Sequence, residues 1–320
     1  MSAVRFRPQA HADKMPLTPR CPIDQNKAVG DAASVPNYLD GKLSASPIFP
    51  ISTSMAQSGR GPEFSNVKYD WKDAGEEWSG SWGTSAAQWS GAIFPRIRGC
   101  LPTGTILEIG SGFGRWTNYL KDYCEHLWIV DPAAECIEAC RRRFAAHPRM
   151  RCYVNDGRSL SMFPDESIDF VFSFDSLVHV KREIIEAYLS ELGAKLRIGG
   201  RGFIHHSNLG EYAHSLRERL PPRVRKLLIK AKILDWEHLR DPSMSADLFR
   251  ALCAQHGLHC LSQELVNWRG RRLIDCFSLF ARSDSDDRSS TYIIRNPNFM
   301  REAALIRRRS QSGPENSLPN

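Results

Sequence analysis

Thr105-Ile-Leu-Glu-Ile-Gly-Ser-Gly-Phe-Gly-Arg-Trp-Thr117 decides the fold. Ile106, Leu107 and Ile109 make the short apolar run of a parallel strand buried on both faces. Gly110, Gly112 and Gly114 then interrupt it at alternate positions. Glycine reaches φ > 0 and lets backbone approach a ligand closely, because no Cβ stands in the way. Arg115 to Tyr123 reads as the start of a helix. Strand, glycine turn and helix make the first βα unit of a doubly wound α/β fold. Nucleotides bind such folds beyond the carboxyl ends of the strands.

The spacing separates two kinds of ligand. A dinucleotide fingerprint, G-x-G-x-x-G, wants its third glycine where this chain has Arg115. Instead the pattern is Glu108-x-Gly110-x-Gly112-x-Gly114, and an acid two residues before the first glycine can hold a cation. This resembles motif I of class I S-adenosylmethionine (SAM) dependent methyltransferases. The resemblance implies that the glycines, with Ser111 between them, approach the methionine part of SAM. It implies that Glu108 helps to fix the amino group of SAM.

Three more motifs follow in order. Leu127-Trp-Ile-Val130 reads as strand 2 and ends at Asp131, about 20 residues beyond the glycines, where an acid accepts from both ribose hydroxyls. Asp131-Pro132 also reads as a helix N-cap and first helical residue, with the helix running from Ala133 to about Ala146. Arg151-Cys-Tyr-Val154 is strand 3, and Asn155-Asp156-Gly157 ends it. By resemblance Asp156 faces the adenine amino group; the other reading is a plain Asn-Asp-Gly turn. Ile168 to Phe174 is strand 4, followed by Asp175-Ser-Leu-Val-His179. Phe174 is counted with the cofactor residues by this resemblance. Methylases of exocyclic amines or amide nitrogens usually carry an Asn/Asp-Pro-Pro-aromatic tetrad at this point; this chain does not, and Asp175 to His179 instead resembles an O-methyltransferase or a small-molecule enzyme.

Lys181 to Arg197 reads as a helix closed by Gly199-Gly200, and Gly202-Phe-Ile204 as strand 5, running into His205-His-Ser-Asn208. His205 and His206 are adjacent on a strand, so they point to opposite faces. No further ligand pair stands near them, so no metal site is expected. A hydroxyl acceptor is a weak nucleophile and gains from a general base. The candidates are His179, His205 and His206, with Asp175 as base or orienter, and His179 comes first because motif IV adjoins the reactive methyl in this fold. The final strands, Cys260–Val266 and Leu273–Ala281, form a closing antiparallel hairpin. The expected architecture is a Rossmann-like, seven-stranded sheet of order 3-2-1-4-5-7-6, strand 7 antiparallel, with a helical cap.

The flanks are read separately. Residues 1–63, punctuated by proline and rich in Ser, Ala and Gly, read as a flexible leader. Residues 64–104 hold Trp71, Trp78, Trp82 and Trp89, with a helix from Ser85 to Arg98; they are either packing or a lid. The methyltransferase domain spans 105–282, with a basic insertion at about 211–240 carrying Arg217, Arg219, Arg223, Arg225, Lys226, Lys230 and Lys232. Ser245 or Ser243 caps the last core helix, and residues 283–320 read as linker and basic tail.

Composition limits the remainder. The chain has 320 residues, enough for a full α/β core, and a net charge of +7 that suits an anionic ligand or simply a basic surface. Its nine cysteines form no C-x-x-C pair, and Cys136 and Cys140 lack the partners of a zinc site. Reduced thiols and a cytoplasmic protein are expected. No run approaches the ~18 apolar residues of a membrane span, and the N-terminus lacks the apolar stretch of a secretory signal. Trp78-Ser, Trp82-Gly, Pro95-Arg, Phe174-Asp-Ser-Leu-Val-His and His205-His-Ser-Asn together also resemble bacterial methyltransferases linked to cell-surface glycans. That looser resemblance implies a sugar or other small-molecule hydroxyl as acceptor. The rival readings are a non-catalytic SAM-fold binding module and an RNA methyltransferase, the latter lacking the amine tetrad and any appended RNA-binding module.

Overall fold

Parallel strands carry the first motifs in the order expected. The computed structural model describes residues 71–312 except 72, 214, 216–219, 232–238, 269 and 284–289. These lie within a compact unit spanning 59–320. The proposed 1–63 leader and the end of the tail fall outside the described residues, as do Arg217, Arg219 and Lys232 of the basic insertion.

Strands β1 (Thr103–Ile109), β2 (Cys124–Asp131), β3 (Met150–Val154), β4 (Ile168–Ser173), β5 (Leu196–Ser207), β6 (Leu258–Val266), β7 (Asp275–Arg282) and β8 (Tyr292–Asn296) form one sheet. Its order is β3-β2-β1-β4-β5-β7-β6-β8. Only β7 runs antiparallel to its neighbours, pairing Phe203 with Leu279 and Leu265 with Cys276. The order 3-2-1-4-5-7-6 is as expected, but an eighth strand extends it. β8 adds in parallel to β6, with Ser262 beside Tyr292 and Val266 beside Asn296. Residues 283–320 are therefore not only linker and tail. Tyr292-Ile293-Ile294 carries β propensity, and Asn296 bonds Glu264 and Glu302, while Glu264 takes a fork from Arg96 at 2.7 and 2.6 Å.

Side chains alternate across the sheet, as a period of two requires. On one face Leu107, Ile109, Val171 and Ile204 pack with Ile185 and Leu189 of α5 (Arg182–Lys195) and Phe249 and Leu252 of α7 (Ala246–Gln255). On the other, Ile106, Phe170, Phe172 and Phe203 meet Ile137 of α4 (Ala134–Arg143), Phe299 of α8 (Phe299–Gln311), and Trp82, Trp89 and Ile93. Trp82 and Trp89 are thus packing residues. Trp89 stacks on Tyr119 at 5.2 Å, and Trp82 lies 5.8 Å from Phe299.

Several boundaries move. The single helix expected over Ser85–Arg98 is a succession of α1 (Ser85–Gln88), a π turn (Trp89–Ile93), α2 (Phe94–Ile97) and a 3-10 turn (Arg98–Cys100). Pro95 lacks the N–H that a continuous helix needs. The helix after the glycine turn is one short segment, α3 (Thr117–Leu120), and a 3-10 turn. α4 begins at Ala134, because Asp131 bonds the Ala133 N–H instead of capping at the expected position. α5 stops at Lys195, and Gly199-Gly200 lie inside β5, near a shift in its register with β4. Ser245, not Ser243, caps α7, accepting from the Leu248 N–H at 3.2 Å.

Candidate functional site

The glycine turn leaves β1 with φ of +74° at Gly110, +54° at Gly112 and +85° at Gly114. A Cβ at Gly110 would overlap the Ser176 hydroxyl, and one at Gly112 would lie 2.5 Å from the Trp71 ring. Bare backbone is therefore a packing requirement as well as a conformational one. Trp71 stacks on Phe113 at 4.3 Å and contacts Trp78 at 4.8 Å, so this pair of tryptophans lies on the turn while Trp82 and Trp89 are core. Ser111 is buried, its hydroxyl 3.8 Å from the Cys140 thiol.

Asp131 closes β2 and is tied to the turn. Its Oδ2 accepts from the Gly112 N–H at 3.0 Å and its Oδ1 from the Ala133 N–H at 2.9 Å. Each oxygen keeps a further lone pair, which suits a ribose diol. Burial raises its pKa, and the two N–H donors oppose that rise. Glu108 is 1% exposed and accepts from the Thr117 hydroxyl at 2.5 Å. Burial pushes its carboxyl up to about 8, with the Thr117 bond opposing and Asp131 adding to the rise. Burial thus favours its protonated form where no cation stands beside it. Asn155 and Asp156 brace the β3 turn: Asp156 Oδ1 accepts from the N–H groups of Arg158 and Ser159 at 2.9 and 2.7 Å. Those bonds hold its carboxyl below the usual range, and the side chain remains exposed.

Beyond the ends of β1, β4, β5 and β7 runs a chain of buried charge. Arg115 is 5% exposed, with Nη2 3.3 Å from Asp175 Oδ2. Asp175 has φ of +61°, and its N–H donates to His205 Nδ1 at 3.2 Å. A left-handed non-glycine residue at a strand end is a strained feature of the kind found at functional sites. Arg240 lies 3.8 Å from Asp175 and grips Asp275 through Nε and Nη2 at 2.8 and 3.0 Å. Burial pushes the Asp275 carboxyl up, but the Arg240 charge prevails and holds it well below the usual carboxylate range. His205 is fully buried, with Nε2 3.6 Å from Asp275, too far for a hydrogen bond, and Phe174 4.8 Å from its ring. Phe174 also meets Trp116 and Phe277, as a wall of this cluster.

The three histidines separate. His206 lies on the opposite face, stacked on Phe249 at 4.2 Å, with ring nitrogens bonded to Ser207 O and Ser278 Oγ. Burial drives its pKa down to about 3. The structure does not bring it to the site. His205 reaches the site but spends Nδ1 on Asp175. His179 is half-buried and pairs Nδ1 with the Leu239 carbonyl at 2.9 Å. A carbonyl only accepts, so the ring proton is on Nδ1 and Nε2 keeps its lone pair. Burial and then the Arg240 charge lower its pKa, with the Leu239 bond, Asp175 and Asp275 opposing.

Arg115, Arg240, Asp275 and Trp268, whose ring lies 4.9 Å from the Arg240 guanidinium, were not among the expected site residues. Asp275 had a signal: one charge inside the apolar run Leu273-Ile-Asp-Cys-Phe277 demands a buried partner. Arg240 had none, because its partner is 35 residues away. Among the described residues no group of three or more His, Cys, Asp or Glu is placed to hold a metal, and no helix is long and apolar enough to cross a membrane. No disulfide joins the eight described cysteines to one another.

Sequence comparison agrees with this geometry. The family model described as a methyltransferase domain matches residues 106–200, from β1 into β5. Residues 106–200 thus resemble a methyltransferase domain on a Rossmann-like sheet, and SAM is the cofactor that this match and fold support. Phosphoethanolamine N-methyltransferase 3 of Arabidopsis thaliana is 25% identical over 151 residues, covering 47% of this chain and 30% of that protein. Phosphoethanolamine N-methyltransferase of Triticum aestivum is 24% identical over 178 residues, 54% of this chain and 35% of that one. The chain thus spans about a third of the length of these curated relatives. Among solved structures, an S-adenosylmethionine dependent methyltransferase from Mesorhizobium loti is 16% identical with a TM-score of 0.42, over 61% of this chain and 98% of that one.

Proposed function

We propose that the protein transfers the methyl group of SAM to a hydroxyl oxygen of a sugar, glycan or other small molecule, with His179 as general base. The observation that carries the proposal is that Nε2 of His179, beside Asp175 after β4, has no hydrogen bond among the described residues, in a ring whose pKa burial lowers. Geometry of this kind supports a base, and the lack of an amine tetrad after β4 supports an oxygen acceptor.

The residues present fit the cofactor. Asp131 offers lone pairs for the ribose hydroxyls, and Glu108 offers a buried carboxyl that a neighbouring ammonium would ionise. The bare backbone of Gly110, Ser111, Gly112 and Gly114 is the part of the turn that would approach its methionine part, and Asp156 has an exposed carboxylate for the adenine amino group. When bound, the sulfonium supplies an electrophilic methyl group, so the protein's task is to align and deprotonate the acceptor. His179 Nε2 takes the hydroxyl proton. The Leu239 carbonyl holds the ring in the tautomer that can do so, and Asp175 and Asp275 favour the imidazolium that results. Trp71 and Trp78, which lie on the glycine turn, close over the acceptor as a lid.

A small amine is the second reading, favoured by the names of the two curated relatives. Product mass spectrometry after incubation with SAM and a panel of glycans, phenols, small amines and RNA tests the proposal. An O-methyl product supports it; an N-methyl product or methylated RNA replaces it.

A further inference from the structure

Arg115 is a buried charge with long hydrogen bonds. It follows the glycine turn directly and its guanidinium is buried beside Asp175. A buried cation is strongly unfavourable unless well paired. Among the described residues its hydrogen bonds are two, to Ser79 Oγ at 3.4 Å and Asp175 Oδ2 at 3.3 Å. Charge-assisted N–H···O bonds are ordinarily about 2.7–2.9 Å. Arg240 shows the contrast, with its fork on Asp275 at 2.8 and 3.0 Å. The faces of Arg115 are covered by Trp116, 4.4 Å from the guanidinium carbon, and Trp78, at 5.4 Å. Those rings hold the plane in place, while three of its five N–H groups have no hydrogen bond among the described residues.

Asp175 is an equally poor partner. It is shared between Arg115 and Arg240 at 3.3 and 3.8 Å, and it is reached only through a left-handed backbone. A planar carboxylate arriving at the edge of Arg115 can make the short bidentate pair that Asp175 does not.

We propose that Arg115 takes the α-carboxylate of the cofactor's methionine part, and that Asp175 stands in for that carboxylate in the ligand-free protein. This rests on the SAM reading above. An α-amino acid carries one positive and one negative group. The glycine turn is flanked by one buried acid before it, Glu108, and one buried cation after it, Arg115. Cofactor binding then frees Asp175 from Arg115 and leaves it beside His179 and the acceptor.

The test is calorimetry on the full chain with two probes: S-adenosylhomocysteine, and its decarboxylated analogue, which keeps the amine. The wild type should prefer S-adenosylhomocysteine by about 10- to 100-fold, the range for hydrogen bonds to a charged group. Arg115→Gln should reduce that preference to near parity. Asp175→Asn, which removes the competing anion, should widen it, and serves if Arg115→Gln does not fold. A folded Arg115→Gln protein that keeps the wild-type preference overturns the proposal, even if its acceptor affinity falls. An unchanged or narrowed preference in Asp175→Asn does the same. A wild type that binds both probes equally removes the Arg115 assignment and leaves the SAM reading standing; one that binds neither removes the SAM reading itself.

Discussion

Replacing Glu108 by Gln should make the free protein more stable and the cofactor complex weaker. Folded Glu108 holds its proton up to about 8, whereas the unfolded carboxyl releases it near 4.5. Between those values folding takes up a proton, so the protonated folded carboxyl is fully stabilising below the lower value. That stability declines as pH climbs toward the higher one. A gap of that width is worth about 4–5 kcal/mol at most, and realistic relaxation brings it to about 2–4. Glutamine imitates the protonated acid and can still accept from Thr117. The variant should therefore gain on the wild type as pH rises from 5 to 8.5, by roughly those amounts, in urea unfolding at three pH values. The same proton opposes binding: ammonium capture requires ionised Glu108, so wild-type affinity for S-adenosylhomocysteine should rise about 50-fold between pH 6 and 8. Glu108→Gln should lose that dependence. Parallel pH profiles of stability for the two proteins would refute the reasoning, because the buried carboxyl would then titrate as it does unfolded.

Other outcomes follow from the same geometry. Asp131→Ala should weaken S-adenosylhomocysteine binding by about 1.5–3 kcal/mol in calorimetry, and unchanged affinity in a folded mutant would remove the ribose assignment. His179→Ala should lower kcat by about 10²-fold or more with cofactor affinity nearly unchanged. The acidic limb of the wild-type pH–rate profile should lie below the ordinary histidine value of 6.5 and vanish in the mutant. Asp275→Ala removes the fork that Arg240 donates to Asp275, and should cost about 3–5 kcal/mol in denaturant unfolding. Arg223→Glu, on the exposed side of α6 (Pro222–Lys230), should raise acceptor KM and spare cofactor affinity; an equal loss of both would make that insertion structural.

The placement of the proposed cofactor residues was legible because they sit at strand ends in sequence order. Glu108, Asp131 and Asp156 each close or adjoin a strand whose apolar run is plain, and the fold carries them to one edge of the sheet. The buried charge cluster was not, because it is assembled by tertiary contacts. Arg240 lies 35 residues before its partner Asp275, the first residue of β7, and nothing local marks it. The two adjacent histidines show the limit clearly. Strand alternation says that they face apart, but only packing against Phe249 decides that His206 belongs to the helical layer. β8 was missed for another reason. Five residues following a polar linker make a weak strand signal, and the carboxamide of Asn296 and its partner Glu264 anchor it only in three dimensions.

Titration with S-adenosylhomocysteine, run beside NADH, tests the central claim most directly. The account predicts saturable binding of S-adenosylhomocysteine that weakens in Asp131→Ala, and none of NADH. Binding of NADH with no response to S-adenosylhomocysteine would contradict it.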